Sequence, residues 1–133
     1  NKYATRVVGC LDYDANTLEY AVAGHLPKPV LMTPAHIEYL PGEGMPVGLT
    51  PEANYGLEET ALPETFMLVL MSDGVLETIE AVDLIEREKT LLTRLGGTLK
   101  KPGDLIRRLD LGEVTSDDLA DDIAGLFVSR GVG

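Results

Sequence analysis

Apolar and polar positions divide the chain into short runs separated by turn formers. Six apolar residues in a row, Phe66 to Met71, are too few for a helix that stands alone and predict a strand buried on both faces. Ser72, Asp73 and Gly74 end it. Upstream, Ala4 to Leu11 and Leu18 to Val22 flank the turn-forming cluster Asp12 to Thr17, which predicts a hairpin at least half buried. Val30 to Met32 and Ile37 to Leu40 predict a second hairpin, with the neighbouring prolines marking edges and turns rather than a sheet centre. Pro41 to Thr50, PGEGMPVGLT, reads as a Gly/Pro loop, either a substrate-facing flap or an ordinary connection, and Asn54 to Leu62 as a returning strand.

After Glu77 the period changes. Val82, Leu84, Ile85, Leu91, Leu92 and Leu95 form an apolar stripe of helical spacing that ends at Gly96-Gly97. A second short helix is predicted over Asp104 to Leu109, and both helices are expected to cover one sheet face with core leucines. Ile123 to Val128 predicts a last buried strand. Strands followed by helices argue for an α+β class rather than a doubly wound sheet.

At 133 residues the chain has the length of one domain. A net charge of -11 argues against nucleic acid, whose phosphates need clustered Lys and Arg, and disfavours anionic membranes. The single cysteine, Cys10, excludes an internal disulfide and is expected to be a small core residue. No apolar run approaches membrane-spanning length and no leader pattern is present, so the expected location is cytoplasmic.

Candidate chemistry gathers at two strand ends. Alone, Asp73-Gly74 would be an ordinary turn. A second acidic cluster leads into the last apolar run, however, so adjacent strands would bring Asp73 and Asp121 or Asp122 within reach of one hard cation. Oxygen-only ligands suit magnesium, manganese or calcium, whereas zinc or copper would want His or Cys. Ser72 and Gly74 would shape the turn, and Asp117 and Asp118 read as solvated loop. His25 closes Ala23-Gly24-His25 and, as a lone histidine, is expected at least as often to bond nearby backbone as to do chemistry.

The order AGH (Ala23 to His25), MPVGL (Met45 to Leu49), SDGVLE (Ser72 to Glu77) and DDIA (Asp121 to Ala124) resembles the second half of a metal-dependent PPM-type serine/threonine phosphatase. It is most similar to the bacterial SpoIIE/RsbU-like branch, with RssB-type response-regulator output domains a related comparison. The resemblance implies an αββα phosphatase sandwich, two antiparallel β-sheets between helices, of which residues 1–133 supply the C-terminal part of a single domain. It implies two Mg2+ or Mn2+ ions in the complete domain, one held by Asp73 and Asp121, with Asp122 supporting them or the local fold. It places the AGH corner near the active-site side. The family's first-half GD-x-x-GHG pattern has no match here, so a piece of a longer polypeptide is expected, inactive alone, with a receiver domain upstream in some relatives. An incomplete sandwich also predicts self-association through its edges.

Two functions follow from the resemblance. One is dephosphorylation of a phosphoserine or phosphothreonine protein, in the family an anti-sigma-factor antagonist. The other is a catalytically weakened module that binds a sigma factor or another regulatory protein. Ala124, where the family motif ends in threonine, removes a hydroxyl beside the metal ligand and bears on that choice. A calcium-binding structural domain is the weakest reading, because no loop has the regularly spaced oxygen ligands of an EF-hand.

Overall fold

The computed structural model describes residues 5–25, 27–42, 44, 46–48, 51, 55–96, 102–109 and 123–132. In chain order the elements are β1 (Arg6–Asp12), β2 (Thr17–Ala23), β3 (Val30–Met32), β4 (Ile37–Tyr39), β5 (Glu58–Ala61), β6 (Phe66–Met71), α1 (Gly74–Glu77), α2 (Leu84–Leu95), α3 (Pro102–Arg108) and β7 (Gly125–Arg130). They build two antiparallel sheets, ordered β1-β2-β5 and β4-β3-β6-β7.

Strand β6 joins the two cores because its side chains alternate. Phe66 and Leu68 meet Leu18, Tyr20 and Val22 of β2, together with Leu31, Leu40 and Leu62, between the sheets. Met67, Val69 and Met71 face the other way, onto Val75, Leu76, Ile79, Leu91, Leu95, Leu105 and Leu109 of the helical layer. The expectation of burial on both faces therefore holds, as does the helical cover on one sheet face.

Local chemistry explains the connections. In the β1–β2 turn Asp12 Oδ1 accepts the N–H groups of Asp14 and Ala15, each at 3.0 Å, and Asn16 takes a left-handed φ of 54°. Asp83 caps α2 by accepting the Glu86 N–H at 2.9 Å, while the Glu86 carboxylate accepts the Val82 N–H at 3.2 Å. This exchange is a close variant of the capping box. The Tyr39 hydroxyl donates to the Glu88 carbonyl at 2.7 Å, and burial, with the Glu88 charge adding, pushes that phenol up so that it stays a donor. It ties β4 to α2.

Several expectations change. Cys10 is exposed rather than core, as are Arg6, Val8 and Gly9, because one face of β1 has nothing packed on it among the described residues. Among the described residues strand β7 pairs with β6 alone and is largely exposed, so it stands there as an edge rather than a buried strand. Strand β3 lies between β4 and β6, so its flanking prolines mark its ends and not a sheet edge. The apolar stripe of α2 is split: Leu91 and Leu95 are buried, whereas Val82, Leu84 and Ile85 are exposed, since only the C-terminal half of the stripe faces β6. Helix α1 was not foreseen, and the strand expected over Asn54 to Leu62 is observed only at Glu58–Ala61. No helix among the described residues is long and apolar enough to cross a membrane.

The split of α2 is directly measurable. Leu91→Ala removes a side chain with no exposure from the helix–sheet core and is expected to cost about 2–5 kcal/mol in urea unfolding. Ile85→Ala, on the exposed half, should stay within about 0.5 kcal/mol. Equal losses would contradict the observed face.

Candidate functional site

The end of β6 and the start of β7 are clamped together. Beyond the last ladder pair, Met71 with Gly125, the Ser72 N–H donates to the Ala124 carbonyl at 2.8 Å and the Ala124 N–H donates to Ser72 Oγ at 2.8 Å. The antiparallel register thus carries the chain just after Asp121 and Asp122 alongside Asp73. Those two aspartates, with Asp117 and Asp118, lie outside the described residues.

Asp73 is exposed and stands at the head of α1 with helical backbone angles, φ -63° and ψ -24°. Its side chain makes no capping hydrogen bond. The turn is closed by backbone instead, Val75 N–H to the Ser72 carbonyl at 3.2 Å and Leu76 N–H to the Asp73 carbonyl at 3.0 Å. An aspartate serving only a turn would commonly spend its carboxylate on such an N–H. Here that carboxylate is left facing outward. Gly74 lies within that turn and opens α1 as a buried residue, and its φ is not among the positive values found.

Beside this clamp lies a cleft of about 450 Å³ lined by Thr5, Arg6, Val7, His25, Leu70, Met71, Ser72, Ala124, Gly125 and Leu126. It opens between the strand ends of the two sheets, and Asp73 follows directly on its lining residue Ser72. The His25 ring spans it. Nε2 donates to the Met71 carbonyl at 2.7 Å, since a carbonyl can only accept, and Nδ1 lies 3.3 Å from Thr5 Oγ1. The expected bond to backbone is real, but that backbone is 46 residues away and belongs to the other sheet.

His25 reaches β6 because the corner before it is held. Gly24 has φ +64°, and a Cβ there would sit 2.6 Å from the Pro46 ring. Gly42 and Gly44 likewise press on β2, where a Cβ would come within 2.8 Å of Val22 Cγ2 and 2.4 Å of the Val22 carbonyl oxygen. The Tyr20 hydroxyl donates to the Pro41 carbonyl, and burial, with Glu58 and Glu38 adding, raises its pKa and keeps it a donor. The described part of the Gly/Pro loop is therefore seated on β2 rather than standing away as a flap. Glu43, Met45, Leu49 and Thr50 lie outside the described residues.

The donor set bears on metal chemistry. Among the described residues no group of three or more His, Cys, Asp or Glu side chains converges. Asp73, the residue after the cleft-lining Ser72, is a hard oxygen donor whose chemistry suits a magnesium- or manganese-type ion; one carboxylate does not hold such an ion by itself. The interaction that sequence reading missed is the carbonyl of Met71 as the partner of His25. A backbone acceptor leaves no residue signature; the glycine before the histidine was the available hint.

A family model described as "Stage II sporulation protein E (SpoIIE)" matches residues 1–131. No curated protein matches the chain. Among solved structures, the RsbU and RsbW domains of Rv1364c from Mycobacterium tuberculosis superpose with a TM-score of 0.66 at 22% identity, covering 97% of this chain and 37% of that one. RsbX in complex with magnesium gives 0.67 at 15%, covering 96% and 56%. The PP2C phosphatase domain of SpoIIE from Bacillus subtilis, with a fragment of its regulatory domain, gives 0.71 at 18%, covering 95% and 38%. These likenesses establish the fold, two antiparallel sheets with helices of the PP2C phosphatase type. The chain spans between 37% and 56% of the length of those three.

The seating of the loop can be checked at its tightest point. Gly24→Ala places a side chain in left-handed backbone and against Pro46, and should cost more than about 1–2 kcal/mol. Gly56→Ala meets nothing within 4 Å and should be neutral or slightly stabilising, by less than about 1 kcal/mol. Thermal unfolding of the two variants separates the cases.

Proposed function

Because the chain belongs to the SpoIIE family, whose model matches residues 1–131, we propose that it forms part of a metal-dependent phosphatase domain acting on a phosphoserine or phosphothreonine of a regulatory protein. The observation that carries this reading is Asp73, an outward carboxylate without a capping role, delivered by a buried strand to the rim of a cleft. The magnesium named for RsbX supports the choice of ion.

In this reading Asp73 and Asp121 hold one of two Mg2+ or Mn2+ ions, and Asp122 supports them. The clamp between Ser72 and Ala124 sets the spacing of the ends of β6 and β7. Bound ions would supply an activated water at neutral pH and neutralise charge on the phosphoryl oxygens. The cleft offers Arg6 at its wall as a cation near an incoming phosphate. The regulatory context is sigma-factor control, with an anti-sigma-factor antagonist as substrate, and the setting is cytoplasmic.

A second reading rests on Ala124. A site lacking the hydroxyl at that position could serve as a partner-binding module that no longer turns over, with a sigma factor or another regulatory protein as its ligand.

Manganese titrated into the full-length protein, with phosphate release from a phosphoserine protein followed in the same samples, separates the two. Asp73→Asn is expected to weaken manganese binding by about 100-fold or more, since even the partners of metal ligands are worth 10–100-fold, and to abolish release. Unchanged binding would make Asp73 a turn residue. Metal binding without turnover would favour the partner-binding module.

A further inference from the structure

We infer that His25 is a positioning residue, whose Nε2–H to the Met71 carbonyl fixes the end of β6 and so holds in place the Ser72-Asp73 segment that follows it. This rests on the reading of Asp73 as a metal ligand. Three observations converge on it.

First, the bond crosses between sheets at the residue where β6 ends. Met71 is the last strand residue, its carbonyl accepts His25 at 2.7 Å, and Ser72 and Asp73 follow directly. A hydrogen bond with 46 residues between its partners is not a product of local turn geometry. It links the three-stranded sheet to the four-stranded one at the cleft that both residues line.

Second, the imidazole is prepared for that role from its other side. While Nε2 is bonded to Met71, Nδ1 on the other side of the ring lies 3.3 Å from Thr5 Oγ1. Fixing one ring nitrogen sets the tautomer and the direction of the other. The ring therefore ties the start of β1, the end of β2 and the end of β6 into one corner.

Third, the backbone that presents the ring is itself locked. Gly24 adopts φ +64° and abuts Pro46, so the direction in which His25 leaves β2 is set by a contact with the Gly/Pro loop. On the opposite side of Ser72, the paired bonds to Ala124 hold β7. Asp73 thus projects from a segment held by β7 through Ser72 and by the first sheet through His25. Loss of the His25 bond would leave the Ser72 clamp in place and free the strand end to rotate about it, displacing the carboxylate without unfolding the core.

The test uses the full-length protein with His25→Ala, His25→Gln and Asp73→Asn. Gln keeps an N–H donor on a flexible chain. In metal-free protein, His25→Ala should speed amide exchange at residues 72–74 while leaving Leu68 and Val69 protected. It should weaken manganese binding by about 10-fold or more and lower kcat with little change in KM, and His25→Gln should recover most of the affinity. The proposal is overturned if His25→Ala retains wild-type exchange and manganese affinity while Asp73→Asn loses the metal. It is equally overturned if both His25 variants are impaired alike and in proportion to a fall in Tm, which is what a purely structural histidine would give. If Asp73→Asn itself binds manganese normally, the metal reading of the site fails and the proposed positioning of Asp73 fails with it, which the Asp73 arm alone reveals.

Discussion

Everything at the site depends on β6 being buried on both faces. Phe66, Met67 and Val69 have no exposure, and Leu68 and Met71 almost none. A strand enclosed in that way cannot slip its register, because a shift of one residue would move Phe66 and Leu68 out of the inter-sheet core and the methionines out of the helical one. Fixed register means a fixed end. The polar residues that follow Met71 must therefore emerge at one place, and the chain puts Ser72 and Asp73 there. The order of causes runs from alternating apolar burial, through a pinned strand, to a carboxylate delivered at a defined point.

What the sequence made legible follows the same logic. Phe66–Met71, the β1–β2 turn and the stop at Gly96 were readable because each depends on local residue chemistry or on a run of side chains with one period. The exposure of Cys10 and of β7 was not, since a strand's neighbours on each face are decided by topology, and an apolar run does not say whether its outer edge is covered. Val82, Leu84 and Ile85 were misplaced for a related reason: helical spacing reports a face but not how much of that face meets a partner. Helix α1, at four residues, is too short to show a period at all.

At the candidate site the place of Asp73 was legible, while its supports were hidden. Asp73 could be located from the apolar run before it and the glycine after it. Nothing in the sequence could tell that its side chain makes no cap, because the competing N–H groups might have turned either way. His25 carried a signal of the wrong kind: a lone histidine does usually bond backbone, and this one does, yet the identity of that backbone is a fact of the fold. The glycines at 24, 42 and 44 mark the remaining supports, places where Pro46 or Val22 approaches the backbone so closely that a side chain would collide.

Those supports also decide how much weight Ala124 carries. The contacts that hold β7 to the end of β6 at this position use the N–H and C=O of residue 124, bonded to Ser72 Oγ and to the Ser72 N–H. Any residue but proline can make that pair. A threonine or an alanine at this position therefore leaves the spacing of the two strand ends untouched. The side chain at residue 124 does not bear on the backbone contacts that hold the end of β6, and with it the segment carrying Asp73, to β7. The backbone scaffold that presents Asp73 is thus independent of the side chain at residue 124, so the same scaffold serves a partner-binding module and a phosphatase alike.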